Sequence, residues 1–180
     1  SLRPSIGSIT TGAFIVFSRN CLEAAKMKTL ISIMMVWISI NTGFVVPDAP
    51  SIGYLSPLEI KRYAYGCDEN PIPIGNEDIC DNNVKEAGTP KALYDHTKST
   101  ILVAFGFTPD TILNQSILLH ELIHHLQYYN NYDKEIECNA KLEEQAYTLQ
   151  DKWLFEKYHT NVWDVVGIGR PLYYEITSCL

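Results

Sequence analysis

The residues whose types and spacing could do chemistry are His120, Glu121 and His124, which stand in the order His-Glu-x-x-His. Residues four apart on an α-helix lie one turn apart on the same face, so both imidazoles can reach a single ion. Glu121 stands beside the first histidine, where its carboxylate can accept a proton from water. The pattern therefore predicts two metal ligands and a general base on one helix.

A helix over residues 116–129 must position these side chains. Asn114 or Ser116 is the predicted N-cap, and Asn130 and Asn131 are predicted to end the helix. Five apolar residues fall on the arc opposite the histidines, as a helix between a core and a cleft requires: Leu118, Leu119, Leu122, Ile123 and Leu126. A buried amphipathic helix with purely structural histidines is the alternative interpretation.

A catalytic zinc site needs a third protein ligand, and a second predicted helix over residues 134–158 offers one. Glu143 falls inside the apolar arc of this helix, whereas Glu144 falls outside it. A lone carboxylate on a buried face costs several kcal/mol unless an ion or a partner compensates. Glu143 is therefore the candidate third ligand, and a salt bridge from Glu143 to a lysine or arginine is the alternative.

The motif HELIH, followed nineteen positions after His124 by Glu143 in EEQAY, resembles the gluzincin branch of the zincin metallopeptidases. Residues 91–154 are also similar to small secreted bacterial zincin-like proteins of poorly defined activity. The resemblance implies an α+β, zincin-like fold, in which a small sheet or hairpin packs on the HExxH helix and on a second, glutamate-bearing helix. It also implies one catalytic Zn²⁺ on His120, His124 and Glu143, with Glu121 activating a zinc-bound water for peptide hydrolysis.

Tyr147 departs from the gluzincin pattern, because many members have an aspartate there that orients a zinc histidine. That support must come from another residue or be absent. Gln127 lies near the histidine face and could hydrogen-bond substrate or His120, while His125 lies at the border of core and cleft. The candidates for an oxyanion donor are Tyr147, Tyr173, Tyr174 and His125.

The region before the motif helix is predicted to contain a linker, a short helix and a hairpin. Residues 47–55 resemble a linker, and residues 57–65 a helix with Ser56 as its N-cap. Strands over residues 92–94 and 100–105 are predicted to pair as a hairpin. The second strand either offers a free edge to an extended peptide or lies inside the sheet, and the pattern leaves both possibilities open.

The chain length of 180 residues is enough for one ordinary globular core. Residues 1–26 are interpreted as an upstream extension, residues 27–43 as a signal peptide and residues 44–180 as the metallopeptidase domain. This division predicts a secreted or periplasmic protein with no stable membrane span after signal removal. A membrane anchor formed by residues 13–17 and 30–46 is the alternative.

Charge and cysteine content agree with an exported enzyme. The net charge of −7 becomes about −10 when residues 1–43 are left out, which argues against nucleic acid or anionic membrane as a partner. The gluzincin resemblance implies a peptide or protein substrate. Four cysteines follow residue 43, and we predict the disulfides Cys67–Cys80 and Cys138–Cys179. Unpaired buried thiols are the alternative.

Two other functions fit the same residues. One is a secreted binding or structural protein on a zincin-like scaffold without catalysis, favoured if Tyr128 or the C-terminal segment blocks the cleft. The other is an enzyme using iron or manganese, which two histidines and a glutamate can also hold. Zinc is preferred because two imidazoles, one carboxylate and an open position match its catalytic sites.

Overall fold

The computed structural model describes residues 11–64 and 90–179, with side chains described from residue 24 onward. The predicted α+β class is confirmed. In chain order the elements are α1 Thr11–Thr42, β1 Ser51–Leu55, α2 Pro57–Ala64, β2 Ala92–Asp95, β3 Thr100–Ala104, α3 Ile112–Tyr129, a 3₁₀ turn Tyr132–Lys134, α4 Ala140–Tyr158, α5 Val162–Val166 and α6 Arg170–Thr177.

The three described strands form one sheet in the order β1-β3-β2. The predicted hairpin is confirmed, since β2 and β3 pair antiparallel. The linker prediction for residues 47–55 is wrong at its end, because Ser51–Leu55 pairs in parallel with β3. Pro47, Pro50 and Gly53 favoured a loop, and tertiary pairing overrode this local preference. Consequently β3 is internal, and β2 is the edge strand beside α3.

Helix α3, which carries the His-Glu-x-x-His motif, is the centre of the fold and contacts α1, α4, α5 and β2. Its apolar arc is as predicted, with Leu118, Leu122 and Leu126 fully buried. The helix begins earlier than predicted, because Thr111 is the N-cap and accepts a hydrogen bond from the Asn114 amide at 3.1 Å. It ends at Tyr129 before Asn130, as predicted.

Helix α4 begins at Ala140 instead of the predicted residue 134. Asn131 adopts a left-handed conformation with φ of 58°, and a 3₁₀ turn follows it, so the chain cannot continue directly into a helix. The predicted disulfide Cys138–Cys179 is confirmed and ties the start of α4 to the C-terminal segment. The predicted Cys67–Cys80 disulfide lies outside the described residues.

Residues 27–42, assigned at the sequence level to a signal peptide, belong to α1 and pack on the core beside α3. Its buried residues recur at helical spacing: Met27, Ile31, Met34, Met35 and Ile38. The Trp37 indole also donates a hydrogen bond to Glu156 on α4 at 2.9 Å. The signal peptide stays a prediction. None of the helices in the described ranges has the length and apolarity needed to cross a membrane.

Asp95 organises the turn between β2 and β3 from a buried position. Its carboxylate accepts hydrogen bonds from the Thr97 amide and hydroxyl at 3.0 and 2.6 Å, and from the Tyr63 hydroxyl on α2. Burial raises the pKa of Asp95, but the hydrogen bonds from Thr97, Tyr63 and Lys98 outweigh it and hold that pKa well below its usual range. The ionised carboxylate therefore links α2 to the hairpin.

The packing of α1 predicts that alanine substitutions of two of its isoleucines differ in their effect on stability. Ile38 is fully buried, so Ile38→Ala should lower the free energy of unfolding by about 2–5 kcal/mol. Ile40 is 77% exposed, so Ile40→Ala should change it by less than about 0.5 kcal/mol. Urea unfolding of the full chain measures both. Equal, small losses would mean that α1 does not pack on the core in solution.

The depressed pKa of Asp95 predicts a pH-dependent loss in Asp95→Asn. At pH 7 the substitution should cost about 1–3 kcal/mol of unfolding free energy, because it removes charge-assisted hydrogen bonds. A depressed pKa contributes stability above the unfolded value of about 3.9, so the difference between parent and variant should shrink as pH falls below about 4. Exposed Asp110→Asn is the control. A difference independent of pH would contradict this role.

Candidate metal centre

The side chains of His120, His124 and Glu143 meet where α3 and α4 face each other. The two Nε2 atoms lie 3.1 Å apart. Oε2 of Glu143 lies 3.1 Å from His120 Nε2, and its Oε1 lies 3.3 Å from His124 Nε2. The structure thus brings together all three ligands predicted from the sequence, and within the described residues they form a group able to hold a metal ion.

These separations fit a small tetrahedral ion. Bonds of 2.0–2.2 Å, typical of zinc with nitrogen and oxygen ligands, place neighbouring ligand atoms about 3.3–3.6 Å apart. The two nitrogens lie 3.1 Å apart, and each has one oxygen of the Glu143 carboxylate at 3.1 or 3.3 Å, close to this range, while all the possible ligand atoms, one from each residue, lie within 4.8 Å of one another. The donor set of two imidazoles and one carboxylate is also that of a catalytic zinc site. The residues present therefore fit zinc.

The remaining nitrogen of each histidine is hydrogen-bonded to a buried glutamine. Nδ1 of His120 lies 3.1 Å from Oε1 of Gln150 on α4, and Nδ1 of His124 lies 2.8 Å from Oε1 of Gln127 on α3. Gln127 therefore contacts His124 and not His120, which was one of the two partners, with substrate, that its position suggested. Gln150 is a site residue that the sequence did not reveal, because its role depends on how the two helices pack.

Positive charge is favoured at the centre of this group. Burial lowers the pKa of His124, but its hydrogen bond to Glu143 and the charges of Glu143 and Glu121 outweigh burial and raise the pKa to about 9. Burial raises the pKa of Glu143, yet its bonds to the two histidines hold it well below its usual range. A proton at His124 Nε2 thus supplies the charge that a cation would supply.

Glu121 lies next to this group in a nearly closed environment, with 8% of its surface exposed. Burial raises the pKa of its carboxyl, and the repulsive charge of Glu143 adds to the increase. The charges of the two histidines and a hydrogen bond from the Tyr94 backbone act in the opposite direction. A carboxylate with a raised pKa is a stronger base than an ordinary exposed one, so it is suited to accept and return a proton.

Two pockets adjoin the site, and both are lined by His120 and Glu121. The first, of about 290 Å³, is bounded by Ile117 on α3 and Val166 on α5. The second, of about 540 Å³, is bounded by Tyr128, with Ile176 of α6 on its wall. Tyr128 and the C-terminal segment therefore line the cleft and leave the site accessible.

The four candidate oxyanion donors differ in position. Tyr147 packs edge-on against the His120 ring with centroids 4.6 Å apart, and burial together with the charges of Glu143 and Glu121 raises the pKa of Tyr147 to about 12. Tyr173 packs against the ring of Tyr147 at 5.8 Å. Tyr174 is exposed on α6. Tyr147 is therefore the candidate whose ring lies against the site.

His125, the fourth candidate, is a buried residue that links three segments. It is buried, and its Nε2 donates to the Asp48 carbonyl at 2.9 Å. Its Nδ1 consequently accepts from the Tyr94 hydroxyl, also at 2.9 Å. Burial lowers the pKa of His125 despite the bond to Asp48, so the ring is neutral. These contacts fix the edge strand β2 against α3.

The helical wheel's choice between Glu143 and Glu144 agrees with the structure. Glu144 is half-buried and pairs with Lys141 of the same helix at 2.6 Å instead of reaching the histidines. A larger groove of about 820 Å³ lies between α1 and β1, but the described residues that line it include no histidine, cysteine or carboxylate. The smaller cleft at α3 and α4 is therefore the candidate site.

Comparison with known proteins gives a family without an assigned activity. A family model described as "Domain of unknown function (DUF6647)" matches residues 72–168, a span that includes the three candidate ligands and Glu121. No curated protein and no solved structure matches the chain. Because the match covers more than half of the chain, this protein belongs to the DUF6647 family.

Proposed function

We propose that this protein is a zinc-dependent metallopeptidase, in which His120, His124 and Glu143 hold the ion and Glu121 is the general base. The observation that carries the proposal is the meeting of two imidazole nitrogens, 3.1 Å apart, with the Glu143 carboxylate, whose two oxygens lie 3.1 and 3.3 Å from them. Neutral imidazole nitrogens and a carboxylate at this spacing repel one another unless a cation or a proton lies between them. The accessible cleft beside them supports a catalytic role over a purely structural one.

Each residue has a separate task in this reaction. A zinc ion at these ligands would polarise a peptide carbonyl and make water a stronger acid. Glu121 accepts the proton of the attacking water on its carboxylate and later returns it to the leaving amide nitrogen. Its raised pKa favours this return. Tyr147 lies against His120 and can donate its hydroxyl proton in a hydrogen bond to the oxygen that becomes negative.

The sheet supports a peptide as the substrate. Strand β2 is an edge strand, and its residues Ala92, Leu93 and Tyr94 line the two pockets beside the motif. An extended peptide can pair with such an edge through main-chain hydrogen bonds, while its side chains enter the flanking pockets. This arrangement would place a peptide bond beside Glu121. Both β1 and β2 lie at edges of the described sheet, and β2 is the edge strand next to the motif, whereas β3 is internal.

The ligand assignment predicts that substitutions of two adjacent glutamates differ in their effect on zinc affinity. The full chain, freed of metal and reloaded, should bind about one zinc per molecule. Glu143→Gln should weaken binding by more than the about 10–100-fold typical of residues that only support a ligand. Glu144→Gln is the matched control and should bind as the parent does, because Glu144 pairs with Lys141.

Zinc is measured by metal analysis and by competition with a chelating dye. Iron and manganese are loaded in parallel, since tighter binding of either would change the metal assignment. A parent chain that binds none of the three would rule out the proposed metallopeptidase.

The role of Glu121 predicts a separation of binding from turnover. Glu121→Gln should retain zinc, but its rate of peptide cleavage should fall about 10²–10⁴-fold, because an amide cannot accept the proton. Cleavage is followed with a mixed peptide library by mass spectrometry. Normal turnover by Glu121→Gln would remove Glu121 from the mechanism. A parent that holds zinc but cleaves no peptide would instead support the non-catalytic zincin-like protein.

A further inference from the structure

We propose that Gln127 and Gln150 are positioning residues of the metal centre, each accepting a hydrogen bond from Nδ1–H of one histidine and so presenting its Nε2 to the ion. The inference rests on the proposed zinc site and extends it to residues outside the ligand set. Both glutamines are almost completely buried, at 0% and 1% exposure. A fully buried amide costs free energy unless its hydrogen bonds are satisfied.

The orientation of each glutamine amide is fixed by its nitrogen. Nε2 of Gln150 donates to the Ser116 carbonyl at 3.1 Å and to the Ser116 hydroxyl at 2.6 Å. Since a carbonyl can only accept, the nitrogen must face Ser116, and Oε1 must face His120. The histidine nitrogen opposite that oxygen must then carry hydrogen. His120 is thereby held in the Nδ1–H tautomer, which leaves the Nε2 lone pair free to bind metal.

The orientation of the Gln127 amide, which faces the second histidine, is fixed in the same way. Its Nε2 donates to the Leu142 carbonyl at 3.0 Å and to Oε1 of Gln145 at 2.9 Å. Its Oε1 therefore faces His124 Nδ1 at 2.8 Å. Leu142 precedes Glu143 directly, so this hydrogen bond also connects the ring of one ligand to the backbone that carries another. Both glutamines thus bridge α3 and α4 at the metal centre.

The residues that support the two histidines are neutral amides and not carboxylates. Histidine ligands are commonly supported by a carboxylate or a backbone carbonyl, and a carboxylate increases the basicity of the ring. An amide oxygen fixes the tautomer and the ring orientation without adding negative charge next to the ligand. These glutamines therefore supply the support that Tyr147 cannot supply, and they leave Glu143 as the anionic member of the ligand set.

Zinc affinity in variants of the full chain tests the inference independently of catalysis. Gln150→Leu has similar bulk but no acceptor, and it should weaken zinc binding about 10–100-fold, as should Gln127→Leu. Gln150→Glu restores an acceptor for His120 and should bind zinc more tightly than Gln150→Leu. Gln115→Leu is the control, because Gln115 on α3 bonds to Tyr158 and Pro109 and touches neither histidine. Its affinity should equal that of the parent.

The tautomers can be read directly in the parent by long-range ¹H–¹⁵N correlation of the zinc-loaded protein. Both histidines should carry hydrogen on Nδ1, and an Nε2–H tautomer at either would overturn the inference even if the leucine variants fail to fold. Unchanged zinc affinity in both leucine variants would overturn it as well while leaving the zinc site intact. A parent without zinc affinity would overturn the proposed function and this inference together.

Discussion

The structure depends on the crossing of α3 and α4, which brings three electron-pair donors into contact in a largely buried space. His120 and His124 come from one helix and Glu143 from the other, at separations of 3.1 to 3.3 Å. Such a group is stable only with positive charge inside it. The surrounding fold can be understood as the means of holding the two helices at this distance.

Helix α3 is held in place on every side. The sheet edge β2 is fixed through Tyr94 and His125, and α1 covers the opposite face with a row of apolar residues. The two glutamine amides bridge α3 and α4 at the candidate metal centre, where apolar packing alone would not specify ring orientation. Apolar contacts supply most of the burial, whereas a few hydrogen bonds determine which atoms of the histidines face inward.

The sequence predicted the parts of the site that depend on local periodicity. His120, Glu121 and His124 follow from their spacing on one helix. The distinction between Glu143 and Glu144 depends only on the 100° rotation per residue of a helix. It therefore held although α4 begins six residues later than predicted. Gln150 and strand β1 escaped prediction because each acquires its role from a distant partner. Ser116 lies 34 residues from Gln150 along the chain, and no local pattern reports such a contact.

The Cys138–Cys179 disulfide restricts the unfolded chain around Glu143 but not around the two histidines. Its loop encloses all of α4, α5 and α6, including Glu143 and Gln150, but excludes α3 with both histidines. A loop of this length removes about 4 kcal/mol of chain entropy from the unfolded state by the loop-closure relation. That restriction acts on the segment that carries Glu143 and Gln150 and not on the segment that carries His120 and His124. Noncovalent packing between α3 and α4 must therefore bring Glu143 to the two histidines.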